Sequence, residues 1–211
     1  MAGLILKDMY SLNKNIKQYG ISSALFIFIA VSMNSSIYFV YMVMLMATML
    51  IFTALTNDEM SKWDKYALTM PVARGEIVLS KYVLFIILIL SGMIFSSIVG
   101  IVMTSLLSFE SIKTILTASI SGGGVSCLLF SIMLPIVFKF GVEKGRILLI
   151  AVMAIPAFLL AGGAKLIEKF NIQIPTFGQV KPFLYFTPAI ILLLLFISYK
   201  VSLSIYEKKE F

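Results

Sequence analysis

Residues 18–57 read QYGISSALFIFIAVSMNSSIYFVYMVMLMATMLIFTALTN and decide the fold of the chain. This run of 40 residues carries no charged side chain. As one helix it would be about 60 Å long, which is twice the roughly 30 Å thickness of the hydrocarbon core of a bilayer. The turn-forming residues 33–36, Met-Asn-Ser-Ser, lie near its middle. We therefore predict two membrane-spanning helices joined as a hairpin, near residues 19–33 and 37–56.

Four more charge-free runs follow the hairpin: residues 82–109, 114–138, 147–164 and 182–199. Each is close to or above the roughly 18 residues that a spanning helix needs. Of the 211 residues, 60% are hydrophobic and 13% are charged, against roughly 45–50% and about 25% in soluble domains. We predict an all-α integral membrane protein, a single domain of residues 1–211 with six transmembrane helices, of which spans three to six lie in 82–206.

The basic residues predict the orientation of the chain. The predicted loops on one side hold 13 of the 17 lysines and arginines, and the other side holds only Lys113, Lys165, Lys169 and Lys181. Because basic residues concentrate in cytoplasmic loops, both termini are predicted in the cytoplasm. The formal charge of +7 is spread between apolar runs rather than gathered on one surface, so we predict no binding to nucleic acid.

Residues 1–18 have the pattern of an amphipathic helix. One stripe holds Ile5, Met9, Leu12 and Ile16, and the other face holds Lys7, Asp8, Ser11, Lys14 and Asn15. This spacing predicts an N-terminal interfacial helix that lies in the headgroup plane. Amphipathicity fits a simple membrane anchor and a mechanical role equally well.

The residue inventory excludes most catalytic chemistry. The chain has no histidine, a single cysteine, Cys127, and no Asp or Glu within the apolar runs. The nucleotide-binding pattern G-x-x-x-x-G-K-[ST] is absent, and residues 122–124, three glycines inside an apolar run, indicate close helix packing. We therefore predict no catalytic, metal or cofactor site in this chain.

A membrane-embedded lipid enzyme is the main catalytic alternative, and it would need clustered metal-binding carboxylates. Asp58, Glu59 and Asp64 form the only such cluster in the sequence. They lie beside Lys62 and Lys65, so we interpret them as solvated ion pairs.

The segment at residues 57–81, between the second and third spans, is too long for a simple turn. Met60, Trp63, Ala67 and Met70 follow helical spacing, and Pro71 is expected to stop the helix. The pattern predicts an amphipathic helix on the cytoplasmic side. We expect its apolar face to have no partner elsewhere in the chain, so that a second protein would cover it.

This segment resembles the small permease subunits of ABC type-2 transporters. The resemblance rests on the pattern Trp63-x-x-Tyr66-Ala67-Leu68-x-x-Pro71-Val72-x-Arg74-x-x-Ile77-Val78-x-x-Lys81-Tyr82. It implies that residues 57–81 are a coupling loop, whose coupling helix binds a separate ABC ATPase subunit. The implied contacts are Trp63, Tyr66, Leu68, Pro71, Val72 and Arg74. The alternative is that the aromatic residues only sit in the headgroup belt.

The resemblance also implies an assembly. Two permease copies, as a homodimer or a pair of similar chains, would work with two ATPase subunits, which bind the ATP and Mg²⁺. The chain is most similar to permeases that export amphipathic peptide toxins or antimicrobial peptides from Gram-positive bacteria, the phenol-soluble-modulin exporters among them. The implied location is the bacterial cell (plasma) membrane.

The methionines of the second predicted span indicate a candidate surface for cargo. Met42, Met46 and Met49 lie on one side of the second span, where flexible thioethers suit a wall for an amphipathic peptide or lipid-like cargo, although ordinary packing also explains them. A permease for lipids or other hydrophobic compounds and a non-catalytic membrane scaffold or immunity protein remain alternatives.

Overall fold

The computed structural model describes residues 2–14, 16–67, 69–107, 109–145, 147 and 186–209. The regular secondary structure in these residues is all α-helical, which confirms the predicted class for this part of the chain. The helices are α1 (Ala2–Asn13), α2 (Ile16–Ser32), α3 (Ser36–Met60), α4 (Trp63–Ala67), α5 (Arg74–Leu107), α6 (Ile112–Phe140) and α7 (Thr187–Glu207).

Four of these helices, α3, α5, α6 and α7, are long and apolar enough to cross a membrane. Helix α2 is also apolar but has 17 residues. Nearly all of the predicted fifth span, residues 147–164, and the connection that follows it lie outside the described residues. The chain is therefore a multi-pass membrane protein, and the number of six spans stays a prediction.

The predicted break inside the first apolar run is present. Helix α2 ends at Ser32 and α3 begins at Ser36. The carboxylate of Glu110, in the turn between α5 and α6, accepts hydrogen bonds from Ser35 Oγ at 2.5 Å and from Ser36 N at 3.1 Å. An anion is favourable there because the first N–H groups of a helix lack intrahelical partners. These contacts place both turns at one end of the bundle, called here the hairpin end.

The other end of the bundle, called here the loop end, differs from the prediction in its helix boundaries. Helix α3 continues to Met60 and α5 already begins at Arg74, so the predicted loop of residues 57–81 shrinks to residues 61–73. The charged residues at the end of α3 and at the start of α5 remain helical, because a helix is held by backbone hydrogen bonds and does not need apolar side chains. The break follows at Lys62, whose φ of 52° is left-handed.

The core is centred on α3. Half of the most apolar stretch of α3 is buried, against 33% for α5 and 17% for α7, whose remaining surfaces are apolar and suited to lipid. Helix α6 approaches closely through glycines: a Cβ added at Gly122 would lie 2.9 Å from Met44 Cγ, and one at Gly123 would lie 2.8 Å from Met93 Sδ. The glycines thus serve close helix packing, as predicted.

We expect cysteine labelling to separate the two ends of the bundle. In a Cys127→Ser background, Met33→Cys and Lys113→Cys at the hairpin end should react with an impermeant maleimide added to intact cells. Thr69→Cys, exposed at the loop end, should react only after permeabilisation, because the basic residues predict a cytoplasmic loop. The reverse pattern would invert the predicted topology.

Candidate functional site

The candidate site is the loop of residues 61–73, between α3 and α5. Its helix α4 has five residues, Trp63–Ala67, and is shorter than the helix predicted from Met60 to Met70. After Ala67 the backbone tightens, and Thr69 N donates to the Tyr66 carbonyl at 3.1 Å. Pro71 disfavours helical backbone in the residue before it, which explains the early end of the helix.

The inner face of the loop packs against the chain itself. Ala67 is buried, and Trp63 and Val72 are partly buried against the core. The Trp63 ring lies 5.5 Å from the Tyr66 ring, and Lys7 Nζ lies 4.2 Å from the centre of the Trp63 ring. The expectation that this helix lacks an apolar partner within the chain is therefore wrong for its inner face.

The outer face of the loop is exposed. Tyr66 is 57% exposed and Met60, at the end of α3, is 79% exposed. Pro71 is exposed as well, and Leu68 lies outside the described residues. Of the six contacts that the resemblance implies, Tyr66 and Pro71 are thus the most accessible to a partner.

Arg74 binds the far end of the chain. Its guanidinium donates to the carbonyl oxygen of Glu207 and, at 3.5 Å, to that of Lys209. Cations are favourable there because the last carbonyls of a helix are unpaired and carry partial negative charge. Asp64 accepts a hydrogen bond from Tyr206 Oη at 3.0 Å. The two contacts join the loop and the start of α5 to the end of α7.

Four charged side chains form a closed ring at the loop end, called here the charge ring. Lys81 Nζ lies 2.6 Å from Asp8 Oδ2 and 2.5 Å from Asp58 Oδ2. Lys7 Nζ lies 2.5 Å from Asp58 Oδ1 and 3.0 Å from Asp8 Oδ1. The side chains of Asp8 and Lys81 are only 1% and 5% exposed. Burial is tolerated because two positive and two negative charges face one another.

The charge ring overturns two expectations from the sequence. Asp8 does not lie on an exposed polar face of α1, because it is buried against Lys81. Asp58 pairs with Lys7 and Lys81 rather than with its sequence neighbours in the loop. The pattern of residues 1–18 held a signal for the first of these: Leu4, Asp8 and Leu12 are spaced by four, so the carboxylate shares a helix face with two leucines.

The residues beside Asp58 bind two further elements. Asn57 Nδ2 donates to Ser11 Oγ in α1 at 2.8 Å. Glu59 Oε2 accepts from Val142 N at 2.6 Å, just after α6. Gly141 has a φ of 86° and a ψ of 170°, and a Cβ there would lie 2.8 Å from Glu59 Oε1. The end of α3 thus connects to α1, α5 and the segment after α6.

We expect Gly141→Ala to lower the free energy of unfolding by about 1–3 kcal/mol, because this backbone conformation is essentially restricted to glycine and the methyl group would displace the Glu59 carboxylate. Thermal unfolding in detergent would measure the change. Gly20→Ala in α2 is the matched control, since a Cβ there meets no atom within 4 Å and the helical backbone accepts alanine. Equal melting temperatures for the two variants would contradict the expectation.

The carboxylates that a lipid enzyme would need have other partners. Asp58 binds two lysines, Glu59 binds a backbone N–H group and Asp64 binds a tyrosine hydroxyl. Within the described ranges, no group of three or more Asp, Glu, Cys or His side chains is arranged to hold a metal ion. The geometry therefore favours a structural role for these three side chains.

The candidate cargo wall lies on the side of α3 that turns away from the core. Met42 and Met46 are partly buried and Met49 is exposed. The exposed side chains of Tyr38 and Leu45 continue the same side. This surface is apolar and flexible, which suits either packing against another helix or contact with an apolar cargo.

Comparison with known families gives a match over nearly the whole chain. A family model described as an ABC-2 family transporter protein matches residues 3–207. No curated protein and no solved structure matches the chain.

Proposed function

Because the chain belongs to the ABC-2 family of transporter proteins, we propose that it is the permease subunit of an ATP-driven exporter of amphipathic peptides. An ABC-2 permease is a membrane component that is not itself catalytic, and the family implies a partner ATPase subunit. In the proposed complex the partner binds ATP and Mg²⁺, and it docks on the loop of residues 61–73. The chain would lie in a bacterial cell membrane with both termini in the cytoplasm.

Two features of the loop support the proposal together. Its outer face is exposed, and its inner side and flanks are bonded to several other helices. Tyr66 and Met60 are open to a partner, and aromatic anchors dominate many protein interfaces. Behind them, side chains of the loop and its flanks bind α1, α5, α7 and the segment after α6. A push on the outer face would therefore move several helices rather than deform a free loop.

We propose that two permease copies and two ATPase subunits form the transporter, with a homodimer as the simplest arrangement. One chain covers the methionine side of α3 only in part with its other described helices, since Met42 and Met46 are partly buried and Met49 is exposed. A second copy facing this side would complete a pathway between the two chains. Cross-linking in membranes that contain the ATPase should yield a permease dimer, and monomers alone would exclude this arrangement.

Amphipathic peptides are the cargo that we propose, and the same chemistry also suits a lipid-like compound. The apolar runs contain no Asp, Glu, Lys or Arg, whereas ion and proton routes usually contain ionisable side chains. Methionine adapts to varied apolar surfaces because its side chain is unbranched and flexible. Met42, Met46 and Met49 would form the wall that the apolar face of a helical peptide contacts.

A survival assay tests this function. Cells that express the chain with its ATPase should tolerate higher concentrations of an amphipathic helical peptide than cells whose ATPase lacks its nucleotide-binding lysine. A scrambled peptide of equal charge, without an apolar face, controls for general toxicity. Equal killing of both strains by the amphipathic peptide would exclude peptide export as the function. Protection only against an apolar lipid-like compound would point to the lipid transporter instead.

A further inference from the structure

We infer that the charge ring fixes α1 to both ends of the loop, so that α1 and the loop move as one body. Asp58 lies in the last turn of α3, just before the loop, and Lys81 lies in the second turn of α5, just after it. Lys7 and Asp8 come from α1. Because each lysine contacts both aspartates, no single hinge separates α1 from either flank of the loop.

The ring also reaches α4 directly. The Lys7 ammonium group lies over the Trp63 ring, 4.2 Å from its centre, while it contacts both aspartates. Movement of α4 therefore changes the environment of Lys7, which belongs to the charge ring. The face of an indole ring attracts a cation, so this contact favours joint movement of Lys7 and Trp63.

Helix α1 also has an exposed apolar face. Leu6, Met9 and Tyr10 are all exposed, although α1 packs against α3 and α5. A helix with such a face lies with its apolar side chains at the headgroup and acyl-chain boundary. Resting on the proposed function, the inference is that ATP-driven movement of the loop also moves α1 at the membrane surface. Asp8 and Lys81 are then positioning residues for transport.

The first test separates coupling from folding with the double variant Asp8→Asn/Lys81→Met. It removes one cation and one anion, so Lys7 and Asp58 remain as a balanced pair at 2.5 Å. Folding should survive, because replacing a buried ion pair with neutral groups is often tolerated. Peptide transport per ATP hydrolysed, measured on the complex in vesicles, should fall by about fivefold or more.

Two variants serve as controls. Lys14→Met changes an exposed lysine of the same helix and should leave the transport ratio unchanged. Lys81→Arg keeps the charge and can bridge both aspartates, so it should retain most of the coupling. If transport and ATP hydrolysis fall together in proportion to the amount of folded protein, the ring is merely structural and the inference is overturned. An unchanged ratio in the double variant overturns it as well.

The second test needs no ATPase and remains informative if the proposed function is wrong. Spin labels at Tyr10 in α1 and Thr69 in the loop, both exposed, report their separation in the full chain in lipid nanodiscs, with Cys127→Ser as background. The distance distribution should be narrow with the intact ring and broad in Asp8→Asn/Lys81→Met. Equal widths would show that the ring does not hold the two elements together. A narrow-to-broad change without any ATP-driven transport in the wild type would instead remove the proposed function.

Discussion

Replacing Lys81 alone with methionine is expected to lower the free energy of unfolding by about 3–5 kcal/mol, the largest stability effect that we predict. Without its ammonium group, two carboxylates face the single cation of Lys7. Asp8 is almost completely buried and Asp58 is largely buried, so water cannot replace the lost partner. The loss of unfolding free energy then reflects the cost of an uncompensated buried charge rather than the strength of one ion pair.

Thermal unfolding of the purified chain in detergent would measure this change, with Lys14→Met as the matched lysine-to-methionine control. The double variant Asp8→Asn/Lys81→Met should recover most of the loss, because it restores the charge balance. A melting temperature for Lys81→Met equal to that of the control would mean that the ring contributes no buried electrostatic energy.

Replacing Tyr66 with alanine is expected to weaken binding of the ATPase by more than tenfold. Truncating an aromatic anchor at the centre of an interface costs about 2 kcal/mol or more, and about 1.4 kcal/mol corresponds to a factor of ten in affinity. Tyr66 is a cleaner test than Trp63 or Arg74, because the side chains of both of those also bind elements outside the loop.

Titration of the ATPase against permease in nanodiscs would measure the affinity. Tyr10→Ala, which removes a similarly exposed tyrosine from α1, is the matched control and should retain wild-type binding. If Tyr66→Ala and Tyr10→Ala both bind the ATPase with wild-type affinity, the coupling role of Tyr66 is contradicted. The aromatic residues of the loop would then be interpreted as part of the headgroup belt.

The four long apolar helices among the described residues could be predicted because the length of an apolar run is a local property. The hairpin break at residues 33–36 followed from the bilayer thickness and from turn chemistry, and α3 begins at Ser36. The start of α5 could not be predicted in the same way. Apolarity marks where a helix enters the hydrocarbon, whereas the helix itself continues outward to Arg74.

The charge ring depends on tertiary structure. Lys81 is 73 residues from Asp8, and no local pattern pairs them. Similarly, Trp63 has the spacing of an interface residue, but whether its ring meets a partner protein or Lys7 depends on how α1 folds back on the loop. The resemblance indicated a candidate functional segment, and only the packing distinguished its inner residues from Tyr66.

Transport in reconstituted vesicles measures export by the chain and its ATPase without other cellular components. The chain and its ATPase would be inserted into liposomes with the ATPase outside, and a fluorescent amphipathic helical peptide would be added with Mg²⁺ and ATP. We expect peptide to accumulate in the lumen only when hydrolysable ATP is present, and we expect this accumulation to be lost with Tyr66→Ala. Equal accumulation with a non-hydrolysable ATP analogue, or in vesicles that lack the ATPase, would contradict it.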